Sequence, residues 1–271
     1  MASLTDVRSH YEFGENWNRF ASGISEVQIE EAQRGMARLA LPSELRGARV
    51  LDIGSGSGIH ALAALRLGAK SVRAIDIDPK SVATTQALLT RLAPTGSDWS
   101  AAVTSVFEMD ALPEFDVVYS WGVLHHTGDM SRAFECAVRK LAPGGRLYVA
   151  LYRKTPLCAL WRWEKRIYTQ ASEPTRRRIE AFYKAAFEFA LVATGRSPKA
   201  YRDTYVRNRG MNWETDVRDW LGGYPYESIS EAQTLRLAET YGLKPLRRFC
   251  RKPGLGLFGT GCDEYAFVRG A

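Results

Sequence analysis

The sequence predicts an α/β fold: a parallel sheet with helices on both faces, broken late in the chain by a helical insertion. Three observations carry this. Short apolar runs alternate with helix-spaced segments from residue 48 to residue 152. The first run ends in Gly54-Ser55-Gly56-Ser57-Gly58. The alternation stops at residue 153 and resumes at residue 228. Strands that alternate with helices are joined by crossovers, which makes the sheet parallel.

Taken in order, residues 1–45 read as helical, with Ile24, Val27, Ile29, Met36, Leu39 and Leu41 loosely at helical spacing behind the aromatics Tyr11, Phe13, Trp17 and Phe20. Ala48 to Ile53 is the first strand, and Ala61, Leu62, Leu65 and Leu67 mark the helix after it. Ser71 to Ile77 is a second strand and Pro79 to Leu92 a second helix. A weaker third strand is expected near residues 100–106, and a fourth from Phe115 to Ser120. The helix from Asp129 to Leu141 is expected to stop at Pro143-Gly144-Gly145. Arg146 to Tyr152 is almost continuously apolar, as suits a strand covered on both faces. Residues 153–227 are rich in Arg, Trp, Tyr and Phe and read as mostly helical. Ser228, with Glu231 as its capping-box partner, is expected to start a helix to Tyr241. Leu243–Phe249 and Glu264–Val268 are the last strands, and the glycine-rich loop between them would let them pair as an antiparallel hairpin.

The chain has 271 residues, 45% of them hydrophobic, which is ample for a core and excludes wholesale disorder. No apolar run reaches the roughly 18–20 residues of a membrane span. The first eleven residues lack a basic stretch followed by an apolar one, so no secretory signal is expected. Four scattered cysteines without a Cys-x-x-Cys pair argue against a zinc site or disulfide framework and point to a reducing, cytoplasmic setting. Four histidines without paired carboxylates give no reason to expect a metal. The net charge is +7, and residues 153–213 alone hold 14 basic against 5 acidic side chains. That segment is read as a solvated helical face, a nucleic-acid contact, or a local module that meets an anionic acceptor, a partner or an anionic membrane.

The strand–glycine–helix unit is the strongest local signal. Glycines let the backbone approach a ligand, and the helix start offers unpaired N–H groups. Asp76, at the end of the next strand, is placed to accept from both hydroxyls of a ribose. A dinucleotide site wants G-x-G-x-x-G, whereas the spacing here is G-x-G-x-G with Ile at position 59.

Together Val50–Gly58, Ala74–Pro79, Met109-Asp110-Ala111, Phe115–His126 and Leu141–Arg146 resemble the class I S-adenosylmethionine-dependent methyltransferases, over about residues 45–152 and again over 228–268. In look they are nearest the small-molecule branch that contains the ubiquinone-pathway enzymes. The resemblance implies a Rossmann-like seven-stranded sheet, with S-adenosyl-L-methionine as cofactor and S-adenosyl-L-homocysteine as product. It implies that Asp52, Gly54, Ser55, Gly56 and Gly58 line the methionine end. Asp76 would bind the ribose, Ile77 pack on the adenine, and Asp110, beside Met109, accept from the adenine amino group. Trp121 would run past the sulfonium. Residues 1–45 become a lid, 46–152 the cofactor core, 153–227 a cover for the acceptor and 228–271 the completion of the core.

His125 and His126 follow the fourth strand, at the sheet edge that forms the ligand crevice in such folds. If the acceptor is a hydroxyl, an imidazole is the natural base. His126 is the expected base and His125 the loop organiser, with a purely structural role for both as the alternative. His10 and His60 are taken as incidental. Trp17, Tyr224 and Tyr226 are the expected acceptor contacts, against core packing for the two tyrosines. The stripe Leu157, Leu160, Trp161 and Ile167 is weighed as membrane-facing, and Arg176-Arg177-Arg178 as an anion contact. No Asn/Asp-Pro-Pro-Tyr/Phe tetrapeptide follows the fourth strand, so base or glutamine amides, and nucleic acid generally, are not the expected acceptors. The expected function is methylation of a small or lipid-like, anionic acceptor, first at oxygen. The alternatives are a macromolecular acceptor (tRNA or a peptide) and a catalytically silent binding subunit.

Overall fold

The computed structural model describes residues 14, 17–18, 21, 23–209, 213–252 and 254–270. His10, Tyr11, Phe13, Asn16, Phe20 and the Gly210-Met211-Asn212 segment lie outside the described residues.

The chain runs α1 (Glu26–Leu39), α2 (Pro42–Leu45), β1 (Arg49–Ile53), α3 (Ile59–Arg66), β2 (Ser71–Asp76), α4 (Pro79–Leu92), β3 (Asp98–Val103), β4 (Phe115–Trp121), α5 (Met130–Arg139) and β5 (Leu141–Tyr152). The insertion supplies α6 (Cys158–Gln170), α7 (Glu173–Ala193), α8 (Pro198–Arg209) and α9 (Trp213–Gly222). Then α10 (Glu231–Thr240), β6 (Leu243–Phe249) and β7 (Cys262–Arg269) close the fold. The seven strands lie in the order β3-β2-β1-β4-β5-β7-β6. The first five are parallel, and β7 is antiparallel to both β5 and β6.

Period-two alternation divides the strands between two cores. Val50, Val117, Tyr119 and Tyr148 face the side covered by α1, α3 and α4, with Ile29, Met36, Leu62 and Leu88. Leu51, Val118, Leu147 and Val149 face the side of α5 and α10, with Phe134 and Ala137. From β1 the chain runs outward to β2 and β3, then crosses back to β4 on the other side of β1. A crevice therefore opens at the carboxyl ends of β1 and β4.

Three boundaries differ from the sequence reading: the third strand is Asp98–Val103 and not residues 100–106, since Val106 already belongs to the short turn that Ser105 caps. The cap of α10 is Ser230 with Gln233, not Ser228 with Glu231: Ser230 N–H donates to Gln233 Oε1 (3.1 Å) and Gln233 N–H to Ser230 Oγ (3.3 Å). Ile229 is held extended beside Arg153, its N–H donating to Tyr152 O (3.0 Å), so the helix starts only after it. Pro143-Gly144-Gly145 lie inside β5, because pairing with β4 begins at Leu141 and then jumps to Arg146.

Candidate active site

The crevice begins with the glycine turn. Gly54 and Gly56 have φ of +75° and +54°, a region that disfavours any side chain. A Cβ at Gly54 would lie 2.4 Å from Val123 Cγ2, and one at Gly56 would lie 3.1 Å from Trp17 Nε1. The turn is thus wedged between the β4 loop and the N-terminal segment. Gly14 N–H donates to Asp78 Oδ2 (2.9 Å), fastening that segment to the start of α4, and Asp78 Oδ1 caps Lys80 N–H (2.8 Å).

Asp76 closes this corner. Its Oδ2 accepts from Gly56 N–H (3.0 Å) and its Oδ1 from Asp78 N–H (2.9 Å), with Ile77 between them in the chain. An ionised carboxylate has about four acceptor directions, so capacity remains for a ligand's hydroxyls. Asp52, on β1, is buried, and its Oδ2 has no hydrogen-bond partner among the described residues. Burial, with the neighbouring Asp76 charge, pushes the Asp52 carboxyl up to about 7. Burial likewise pushes Asp76 up to about 6, against backbone hydrogen bonds that pull it down. Two carboxylates under-compensated for their burial beside a bare backbone turn suit a ligand that brings hydroxyls and positive charge.

Three expected cofactor contacts fall elsewhere. Ser55 is buried with its hydroxyl 3.0 Å from Thr85 Oγ1 and its N–H on Ile75 O (3.0 Å), so its polar groups are spent inside the fold. Met109 is buried in the core on the α5 side. Asp110 is exposed, and its carbonyl accepts from Lys140 Nζ (3.1 Å). Lys140 immediately precedes β5, at the amino-terminal edge of the parallel strands, whereas the glycine turn lies at the carboxyl edge. The segment tied to Asp76 is instead the one just after β3: Thr104 N–H donates to Asp76 O (2.9 Å), and buried Ser105 caps the short turn Val106–Glu108 through Phe107 N–H (3.2 Å). A cap-competent serine directly after a strand was the legible signal. Gly58 also has a packing role, since a Cβ there would meet Thr85 Cα at 2.9 Å.

On the other side of the crevice Trp121 ends β4, 40% exposed, its ring 5.8 Å from that of His60. His60 also lies 5.2 Å from the Tyr119 ring, and burial pushes its imidazole down to about 4. It is a neutral member of the crevice wall, which its place two residues after the glycine turn did not reveal.

His125 and His126 form the turn after β4, with ring centroids 4.4 Å apart. Their hydrogen bonds fix their tautomers. Tyr152 N–H donates to His125 Nδ1 (3.2 Å), so neutral His125 carries its proton on Nε2. Pro225 O can only accept, so His126 Nδ1 donates to it (2.8 Å) and the lone pair of the neutral ring is on Nε2. Gly223 makes room for that ring, since a Cβ there would sit 2.6 Å from His126 Cε1. Glu227 N–H donates to His125 O (2.9 Å), and the Glu227 carboxylate takes Met130 N–H at the start of α5 (3.1 Å). The end of the insertion is therefore clamped over the histidine turn.

Of the expected acceptor contacts, Tyr224 is half-buried in this clamp and Trp17 lies at the glycine turn. Tyr226 is a core residue of the insertion: it is 2% exposed and its hydroxyl donates to Cys158 Sγ (3.3 Å). The buried face of α6 is Cys158, Trp161, Lys165 and Tyr168, while Leu160, Trp163 and Ile167 are exposed. Phe182, Phe189 and Val192 form an exposed stripe on α7. Arg176 is committed to the end of α6, donating to Tyr168 O (3.0 Å) and Thr169 O (2.6 Å), whereas Arg177 and Arg178 are exposed. Among the described residues no group of histidine, cysteine and carboxylate side chains is placed to hold a metal, and no helix is long and apolar enough to cross a membrane.

A family model described as a methyltransferase domain matches residues 24–244. The chain belongs to the methyltransferase-domain family. Its seven-stranded sheet has the class I α/β strand order. Over 106 residues this methyltransferase is 41% identical to a tRNA U34 carboxymethyltransferase of Methylococcus capsulatus, covering 38% of this chain and 32% of that protein. Over 113 residues it is 32% identical to a ubiquinone biosynthesis O-methyltransferase of Xanthomonas oryzae, covering 42% and 46%. The chain thus spans less than half the length of these curated relatives. Among solved structures, the magnesium protoporphyrin IX methyltransferase of Synechocystis with bound S-adenosylhomocysteine superposes at TM-score 0.57 with 16% identity, covering 94% of this chain and 93% of that one. An N-methyltransferase of Bradyrhizobium japonicum, also with S-adenosylhomocysteine, gives 0.52 with 18% identity, covering 89% and 86%. These structures share the methyltransferase's fold.

Proposed function

We propose that this methyltransferase methylates an oxygen of a small, lipid-like, anionic acceptor that it meets at an anionic membrane surface. The observation that carries the oxygen assignment is the His126 tautomer: the Pro225 carbonyl takes the Nδ1 proton and leaves Nε2 able to accept one. S-adenosylmethionine supplies a methyl group already activated by its sulfonium. The chain's own task is to bind, orient and remove a proton. Asp76 takes the ribose hydroxyls, Asp52 faces the cationic end, and Gly54, Gly56, Ile77, Trp17 and Trp121 line the cofactor, with Thr104 and Ser105 on the purine side. His126 Nε2 accepts the acceptor's hydroxyl proton, and Tyr224 borders the acceptor.

The membrane surface is supported by Phe182, Phe189 and Val192 exposed on α7, by Leu160 and Trp163 exposed on α6, and by the exposed Arg178 beside Arg177, which is also exposed and lies 4.0 Å from Glu173. Apolar and cationic side chains together suit an interface of anionic lipid. The ubiquinone-pathway relative supports a quinone-like phenol. The tRNA relative and the basic insertion support tRNA as the second reading.

Methyl transfer from labelled S-adenosylmethionine separates the two. Turnover is expected with prenylated dihydroxybenzoates, which are phenols that carry a carboxylate, in vesicles containing anionic lipid, less with neutral vesicles, and none with tRNA. Methylated tRNA without methylated phenol would overturn the proposal.

A further inference from the structure

The loop that joins β6 to β7 reverses the usual polarity of a surface loop. Leu255 and Leu257 stand 70% and 60% exposed, while Gly256 and Phe258, which alternate with them, are half-buried. The inner positions are fastened. Trp161 Nε1–H donates to Gly256 O (2.6 Å), and the Tyr183 hydroxyl donates to Phe258 O (2.8 Å). The Phe258 ring lies 5.2 Å from that of Phe187, and a Cβ on Gly256 would sit 2.3 Å from Thr155 Oγ1. Side chains from α6, α7 and the β5–α6 connection thus hold the loop from within and present its two leucines outward on a fixed support. One exposed leucine is ordinary; two on an anchored, alternating run form a patch that calls for a partner.

Positive charge surrounds the patch. Arg251 and Lys252 precede the leucines and are exposed. Beside Leu255 an open cavity of about 680 Å³ is lined by Lys154, Thr155, Pro156, Ser230, Gly254 and Leu255. The hydroxyls of Thr155 and Ser230 are engaged with Cys158 Sγ (3.4 Å) and Gln233 Oε1 (2.9 Å), which leaves the exposed Lys154 as the cavity's charged group. The acidic side chains next to these elements are paired: Asp263 accepts from Arg153 Nε (2.8 Å), and Glu231 lies 2.9 Å from Arg248. β7 begins at Cys262, opposite Tyr152 at the end of β5. The loop therefore projects from the carboxyl edge of the parallel strands, the edge that carries the histidine turn.

We propose that the β6–β7 loop is the element that enters an anionic bilayer. Leu255 and Leu257 pass into the acyl region, while Arg251, Lys252 and Lys154 meet lipid phosphates, Lys154 drawing a headgroup into the cavity. The proposal rests on the reading that the acceptor is met at an anionic membrane, and adds which surface docks there. Leucines flanked by cations match both layers of such an interface. An isologous contact with a second copy would instead set these cations against their equals. Docking through this loop turns the carboxyl edge of the sheet, and the crevice with it, toward the lipid.

Co-sedimentation of the full chain with vesicles, without acceptor or cofactor, is the test. The parent binds vesicles of phosphatidylglycerol and phosphatidylcholine more tightly than vesicles of phosphatidylcholine alone. Leu255→Ser with Leu257→Ser weakens binding to the anionic vesicles about 100-fold, at about tenfold for each leucine withdrawn from the acyl region. Lys154→Gln with Lys252→Gln weakens it about tenfold or more, and its dependence on salt becomes shallower. Unchanged S-adenosylhomocysteine affinity shows that each variant is folded. Should the double leucine variant lose that affinity, Leu257→Ser alone decides, with a loss of about tenfold in vesicle binding expected. A folded leucine variant that binds vesicles as the parent does would overturn the proposal. If Phe182→Ser with Phe189→Ser on α7 abolished binding instead, the loop would be excluded while the membrane reading stood. A parent that ignored anionic vesicles would overturn both, and leave methyl transfer to its own assay.

Discussion

The two walls of the crevice are built by different means. The wall made by β1 and β2 is largely backbone: a glycine turn, N–H groups, and Asp52 and Asp76 from strands adjacent in the sheet. Its glycine turn and both carboxylates lie within residues 52–76. The wall made by β4, β5 and the insertion is side chain on side chain, assembled across long separations. His126 is held by Pro225, His125 by Tyr152 and Glu227, and the rings behind them come from α6 and α9. The first wall can hold the same cofactor for many acceptors, while the second is free to vary with the acceptor.

That contrast can be broken. The largest expected effect is on the second wall alone: His126→Gln lowers turnover about 10²–10⁴-fold, the usual contribution of a general base, with S-adenosylhomocysteine affinity unchanged. Gly223→Ala, which drives a methyl into the same ring, is the milder form, with a loss of about 10²-fold or less in turnover. Isothermal titration beside steady-state kinetics separates turnover from affinity. If either variant weakened cofactor binding as much as turnover, the walls would not be separable.

A smaller effect sharpens the first wall. Asp52 and Asp76 are raised by burial to about 7 and about 6, so in the free protein they pick up protons as pH falls through that range. The sign follows: their contribution to the free protein's stability is full below the ordinary carboxyl value of 3.8, is lost progressively as pH rises from there, and is gone once pH passes about 6 for Asp76 and about 7 for Asp52. Ligand binding wants them ionised. S-adenosylmethionine affinity should therefore rise with pH over this window, by at most about tenfold per unit for each proton released, while the free protein's Tm drifts down. Calorimetry in buffers of different ionisation heat reads the released protons, and a flat affinity would remove both carboxylates from the site.

The same contrast explains what could be read from the sequence. The strands, the glycine turn and Asp76 are written contiguously, since period-two runs and a glycine cluster act locally. Asp110 was misplaced because a carboxylate after the third strand carries no mark of which sheet edge it reaches. The segment holding it runs from the carboxyl edge back to the amino edge, and Lys140 holds its far part there. The faces of α6 were misjudged because a buried lysine breaks the apolar pattern: Lys165 points inward while Trp163 and Leu160 point out. Tyr152, Gly223 and Pro225 were invisible as partners of the histidines, since only the folded chain brings residues so far apart in sequence together.

The most direct test is the S-adenosylmethionine affinity of Asp76→Ala against the parent, near neutral pH. Two hydroxyl hydrogen bonds to a carboxylate, at about 1.5–3 kcal/mol each, make a loss of about 100-fold or more the expected result. Equal affinity in the two proteins would contradict the account, because the nucleoside would then have to lie somewhere other than the glycine turn.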